Sequence, residues 1–200
     1  MSTMAGPYTR PLLVVLAVVL TISACAGSKP PRNPGIQGLQ TFTEDPKPRH
    51  TTKHVTYDHT PPAGGLHWPP SDPLAPNVLG WLRCGVYTEP VPNEFAVHSE
   101  EHGAVWLTYQ PGAGADDIAK LVALEQGQKY VLVSPYPGQP GKFMASTWGA
   151  QLSVDSADDP RLTKFRDTYA GGGQGGEKGA DCIHGSLPDE ERAALDKANS

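Results

Sequence analysis

The stretch HSEEHG, residues 98–103, sets two histidines four apart with a glutamate directly before the second. The string H-x-x-E-H is the one by which inverted zinc peptidases hold a metal and a general base. On a helical turn, side chains at i and i+4 face one way, so His98 and His102 are placed to meet a single ion. Glu101 is then positioned to orient a ligand from behind, or to act as base on a metal-bound water. A peptidase needs more than the string, because a long helix must present it and a later helix must add an acidic ligand. Here Gly103 follows at once and AVWLTY reads as a strand, so the sequence predicts about one helical turn. The rival to ligation is bracing, in which both histidines donate to backbone carbonyls across a tight turn.

A third imidazole is to hand. His54, His59 and His67 precede the pair within fifty residues, and His184 lies beside Cys182. His67 sits in PPAGGLHWPP, a Pro/Gly loop that can aim a ligand without burdening a strand. The candidate metal ligands are therefore His67, His98 and His102, with His54 and His59 in reserve. All-imidazole ligation suits Zn²⁺ or Cu²⁺. Met144 is the one methionine beyond the leader, which disfavours a Cu⁺ store. Trp68, next to His67, is expected at a pocket rim, and Trp81, Trp106 and Trp148 in the core.

Other motifs carry less. AGGGQGG at 170–176 contains G-x-G-x-x-G at Gly171, Gly173 and Gly176. It follows a helix and runs into a polar loop, so it reads as a flexible linker rather than a dinucleotide cradle. DSADDP (155–160) lacks the glycine and distal glutamate of a calcium loop. There is no G-x-S-x-G. A formal net charge of −5, with no Lys/Arg cluster, argues against nucleic acid as a partner.

The N-terminus places the protein. Arg10 precedes PLLVVLAVVLTI, an apolar run too short to span a bilayer and of signal-peptide length. Ile22-Ser23-Ala24-Cys25 then reads as a lipobox, at which Cys25 is lipidated and becomes the mature N-terminus. The expectation is a lipid anchor on the extracytoplasmic face of the cell membrane. In that oxidising compartment the remaining pair, Cys84 and Cys182, is most simply a disulfide. The alternative is a thiolate metal pair, which the lack of C-x-x-C spacing disfavours.

The elements that must position the histidines follow from patterning. Residues 1–24 read as the leader and 25–49 as a Pro-rich linker. A globular domain covers 50–185, and 186–200 form a polar C-terminal helix or tail. Within the domain, HVTY (54–57) alternates like a short strand, and another is expected around Cys84–Thr88. AVWLTYQP (104–111) and KYVLVSP (129–135) read as strands flanking a helix over 116–127, with Asp116 as its cap. FMASTWGAQLSV (143–154) reads as a strand or hairpin, and Asp159-Pro160 opens a further helix. The last helix, from Leu187, is expected to be capped by Ser186 and Asp189. The fold class is α+β, or α/β: a single domain with a mixed β-sheet, two packed helices and long Pro/Gly-rich loops.

Four colinear pieces, PPAGGLH (61–67), GVYTEPV (85–91), VHSEEHG (97–103) and TWG (147–149), resemble a known pattern. It is that of the bacterial domain-of-unknown-function family 3105, found in secreted or membrane-anchored proteins. The chain departs from it at Gly64 and Leu66, at Glu100 where leucine is usual, and at Thr147. The resemblance implies a shared fold and a shared histidine-rich site, and it carries no activity. Chemistry then leaves three readings open. The first is metal binding or envelope homeostasis at the histidines. The second is a metal-assisted hydrolase with Glu101 as catalytic base. The third is a non-catalytic structural module docking on another envelope protein.

Overall fold

The computed structural model describes residues 1, 34–44, 49–71, 73 and 75–200. The leader, Cys25 and most of the tether lie outside the described residues. Six strands form one mixed sheet: β1 (Gln40–Thr41), β2 (Gly85–Val86), β3 (Val105–Tyr109), β4 (Val131–Pro135), β5 (Phe143–Thr147) and β6 (Ala150–Val154). Their spatial order is β1-β6-β5-β3-β4-β2. β4 pairs in parallel with both β3 and β2, whereas β3–β5, β5–β6 and β6–β1 are antiparallel. Four helices accompany it: α1 (Asn93–Glu101), α2 (Ala115–Glu125), α3 (Pro160–Tyr169) and α4 (Pro188–Asn199).

The period-2 geometry of the strands sorts the core into two layers. Val105, Leu107 and Tyr109 of β3, with Val131 and Val133 of β4, pack with Leu121 of α2 and Leu162, Phe165 and Tyr169 of α3. The intervening Trp106 and Leu132 point the other way. They pack with Trp68, Phe95 and Ala96 of α1 and Ala194 and Leu195 of α4. Helices therefore cover both faces, and the β3-α2-β4 unit supplies the parallel pair. Among the described residues, no helix is long and apolar enough to cross a membrane.

Several expectations change. HVTY forms no strand; the ladder contact in that region is a bridge between His50 and His67. The strand expected at Cys84–Thr88 shortens to Gly85–Val86. Three expected helices become four, because the turn expected at His98–Gly103 is a helix that extends back to Asn93, and the C-terminal helix is packed on the core through Glu191, Ala194 and Leu195. Residues 34–44, read as tether, join the fold: Ile36 is buried and Gln40–Thr41 form the edge strand against β6. Asp116 does not cap α2, whose N-cap is Gly114, while Asp159 does cap α3 by accepting from Arg161 N–H at 2.9 Å. At α4 the reach-back comes from Glu190, which accepts from Leu187 N–H at 2.9 Å, rather than from Ser186 and Asp189.

α1 is the element that matters for the site. Pro92 precedes it with extended backbone, and Glu94 stands in its first turn, where the macrodipole favours a negative charge. Its end is sharp. Ala104 N–H donates to Ser99 O and Gly103 N–H to Glu100 O, both at 2.9 Å. These two bonds form a Schellman cap, and Gly103 takes the φ of +99° that such a cap asks of its residue. The chain is thereby turned straight into β3.

Candidate metal centre

α1 is buried from Glu94 to Glu101 although its sequence is strongly polar. Its polar groups face the segment 50–68, which runs alongside it. Val55 N–H donates to Glu94 Oε1 at 2.9 Å, Trp68 N–H to Glu94 O at 3.2 Å, and Gly64 N–H to Glu100 Oε2 at 3.0 Å. Burial pushes the Glu100 carboxyl well above the usual range. The His50–His67 bridge is part of the same seam, with Thr51 N–H donating to His67 O at 2.8 Å. Two histidines are thus laid side by side against the helix face that carries His98, Glu101 and His102.

Three imidazoles in this seam share one arrangement. His67 Nδ1 lies 2.8 Å from Gly65 O, His98 Nδ1 2.7 Å from Trp68 O, and His102 Nδ1 2.6 Å from Asp181 O. A carbonyl only accepts, so each Nδ1 carries the proton and the lone pair of a neutral ring is left on Nε2. Metal-binding histidines are oriented in this way, by a donated N–H that fixes the tautomer. The bracing expected of His98 and His102 is therefore present, and it leaves the second nitrogen of each ring available.

What those nitrogens face is unusual. His67 Nε2 lies 3.0 Å from Glu101 Oε2, and both side chains are fully buried. Neither atom has a hydrogen-bond partner among the described residues, and the same is true of His98 Nε2 and Glu101 Oε1. Lone pairs facing one another in a dry interior are costly unless a cation or proton lies between them. Burial, followed by the neighbouring His67 and His102, holds the His98 ring well below its ordinary pKa, so it is neutral at neutral pH. His50 is lowered as well, first by burial and then by His67.

One ligand atom from each of His50, His67, His98 and Glu101 lies within 4.8 Å of the others. A tetrahedral zinc with ~2.0–2.2 Å bonds draws such atoms to roughly 3.4 Å, a small adjustment for side chains. His50 is exposed while the other three are buried, so the group opens to solvent on one side. A second group, His98, His102 and Glu177, meets the same separation, with His102 Nε2 3.3 Å from Glu177 Oε2.

The Gly-rich segment read as a flexible linker proves to be part of this structure. Gly171 N–H donates to Gly103 O at 2.9 Å and Gly179 N–H to His102 O at 2.8 Å. At Gly175 a Cβ would fall 2.1 Å from Glu101 O, so the bare backbone is packed onto the end of α1. The segment ends at Cys182, bonded to Cys84 with the Cα atoms 5.3 Å apart.

The candidate ligands of the sequence thus divide. His67 and His98 fall in one group and His98 and His102 in the other, so the three expected ligands do not meet at a single point. His54 instead sits exposed, with Nδ1 3.6 Å from Glu94 Oε1, and His59 stacks on Phe42. His59 lines a cleft of about 270 Å³ with Arg49, Tyr57, Gly65 and Trp148, outside both groups. Trp68 is no rim residue, being wholly buried and stacked on Phe95. Glu101 stands among the donor atoms rather than behind them. His50 and Glu177 were missed. His50 lay at the expected domain edge with no local motif, and its one signal was another histidine close to the cluster in sequence. Glu177 carried no signal.

The chain belongs to the family described as Protein of unknown function (DUF3105), whose model matches residues 49–184. That span includes both groups of donors and both disulfide cysteines. No curated protein and no solved structure matches the chain.

Proposed function

We propose that this chain is a lipid-anchored extracytoplasmic protein that binds a divalent transition-metal ion, Zn²⁺ or Cu²⁺, at His50, His67, His98 and Glu101. The observation that carries the reading is His98, a neutral buried imidazole with Nδ1 committed to Trp68 O and Nε2 unpartnered beside three more donors. Three imidazoles and one carboxylate make a set suited to either ion. The anchor rests on the lipobox at Cys25, and the Cys84–Cys182 disulfide agrees with an oxidising compartment.

The donor set favours holding over turnover. With four protein ligands engaged, a tetrahedral ion keeps no position for water, and a Glu101 that ligates is not free to act as base. The role that follows is metal binding or metal homeostasis in the cell envelope. Full-length protein, extracted without an affinity tag from the membrane fraction, is expected to carry about one equivalent of Zn or Cu by elemental mass spectrometry. Metal-free protein that also fails to take up either ion would leave the buried donors as a structural brace and end this reading.

A further inference from the structure

We infer that the ion occupies either of two overlapping positions, one at His50, His67, His98 and Glu101 and one at His98, His102 and Glu177. The site would then pass a single divalent cation from an inner seat to an outward one. This rests on the metal-binding reading above.

His98 belongs to both groups of donors. Its ring centroid stands 4.8 Å from that of His67 on one side and 4.8 Å from that of His102 on the other. Its Nδ1 donates to Trp68 O, so Nε2 is its one ligating atom, and a single lone pair cannot serve two cations at once. The positions are therefore mutually exclusive. Each group also holds one carboxylate, which is ionised when it ligates; the two together balance one dication and not two.

The seats are unequal. The first has four donors, of which His67, His98 and Glu101 are buried. The second has three, and it ends at Glu177, whose side chain is 40% exposed. A three-donor seat leaves a tetrahedral ion one open position, the place where an acceptor's ligand must bind before the ion can leave. Glu177 is not a chance surface acid here. Its segment is held by Gly175 packed on Glu101 and by the bond from Gly179 to His102 O, and Asp181 O fixes the His102 ring. The backbone on both sides of Glu177 is thus held against the end of α1.

The test uses the full-length chain in mild detergent, loaded with Zn²⁺, with transfer to a chromophoric chelator followed by stopped flow. Native mass spectrometry should count one Zn²⁺ per chain in both the wild type and Glu177→Gln. The substitution, which keeps size but weakens ligation, should slow transfer by about tenfold or more. Two ions per wild-type chain, or an unchanged transfer rate in Glu177→Gln, would overturn the two-seat inference while leaving the metal-binding reading intact. A chain that takes up no Zn²⁺ would overturn both.

Discussion

An imidazole that braces and an imidazole that ligates differ by one nitrogen, and His98 allows the two roles to be separated. Asparagine places its side-chain NH₂ near the position of a histidine Nδ1 and has nothing at Nε2. His98→Asn should therefore keep the bond to Trp68 O, with a stability loss near 1 kcal/mol. His98→Ala leaves that buried carbonyl unpaired and should cost about 1–3 kcal/mol more. Both should lower metal affinity by at least about a hundredfold, since even removing a group behind a ligand costs 10–100-fold. Denaturant melts paired with metal titration read the two effects separately. Unaltered metal uptake by His98→Asn would assign this ring to bracing alone. The metal proposal would also account for the complete burial of Glu101 and His67 3.0 Å apart. As a bare ion pair they would be held against a desolvation cost of several kcal/mol, whereas a bound dication makes each its neighbour's complement.

α1 joins these residues to the fold, and its C-terminal end is where two chain segments meet. Gly103 closes the helix, and Gly175 approaches so closely that a methyl group there would have to displace the Glu101 backbone. Gly175→Ala should lower stability by about 1–3 kcal/mol, the usual effect of overpacking, and should loosen the loop that carries Glu177. Chemical denaturation measures the first. An unperturbed midpoint would mean that the segment packs on α1 only loosely. This contact also shows why the sequence read well in some places and poorly in others. β3, α2, β4, the β5–β6 hairpin and α3 each bury a regular apolar face, so their periodicity announced them. α1 does not, because it is buried all round, with Phe95 and Ala96 in the core and Glu94, His98, Glu100 and Glu101 buried beside them, and such a helix shows little apolar period. The histidine pair was visible as a motif, but its reading as a single turn followed from looking forward to Gly103 and not back to Pro92. His50 and Glu177 reach the cluster through an isolated bridge between two loop segments and through a glycine approach, neither of which leaves a local pattern. The Gly-rich run was misread for a related reason: composition reports a lack of side chains, and here that lack is what permits close packing.

Across the whole molecule, both groups of donors depend on segments brought in from far along the chain to one face of the sheet. Residues 50–68 arrive from the N-terminal side and 171–182 from the C-terminal side, with α1 between them. The Cys84–Cys182 bond spans 98 residues and holds the second of these in place. Closing a loop of that size removes denatured-state entropy worth up to about 4–5 kcal/mol, a large share of a typical 5–15 kcal/mol stability. The Cys84→Ala/Cys182→Ala double variant should thus unfold about 3–5 kcal/mol more easily. The consequence for metal should be selective. None of His50, His67, His98 and Glu101 lies in residues 171–182, and the seam that aligns them is held by the His50–His67 bridge and the bonds from Val55 and Gly64 to α1. At a temperature where circular dichroism shows the double variant fully folded, it should still bind one ion. His102 and Glu177 would meanwhile lose the tether that sets their spacing, through Asp181 and Gly179. Transfer to a chelator should then slow in the double variant as it does in Glu177→Gln. Loss of the ion from a fully folded double variant would show instead that the C-terminal segment is needed for the inner seat itself, and that the boundary between the two groups has been drawn in the wrong place.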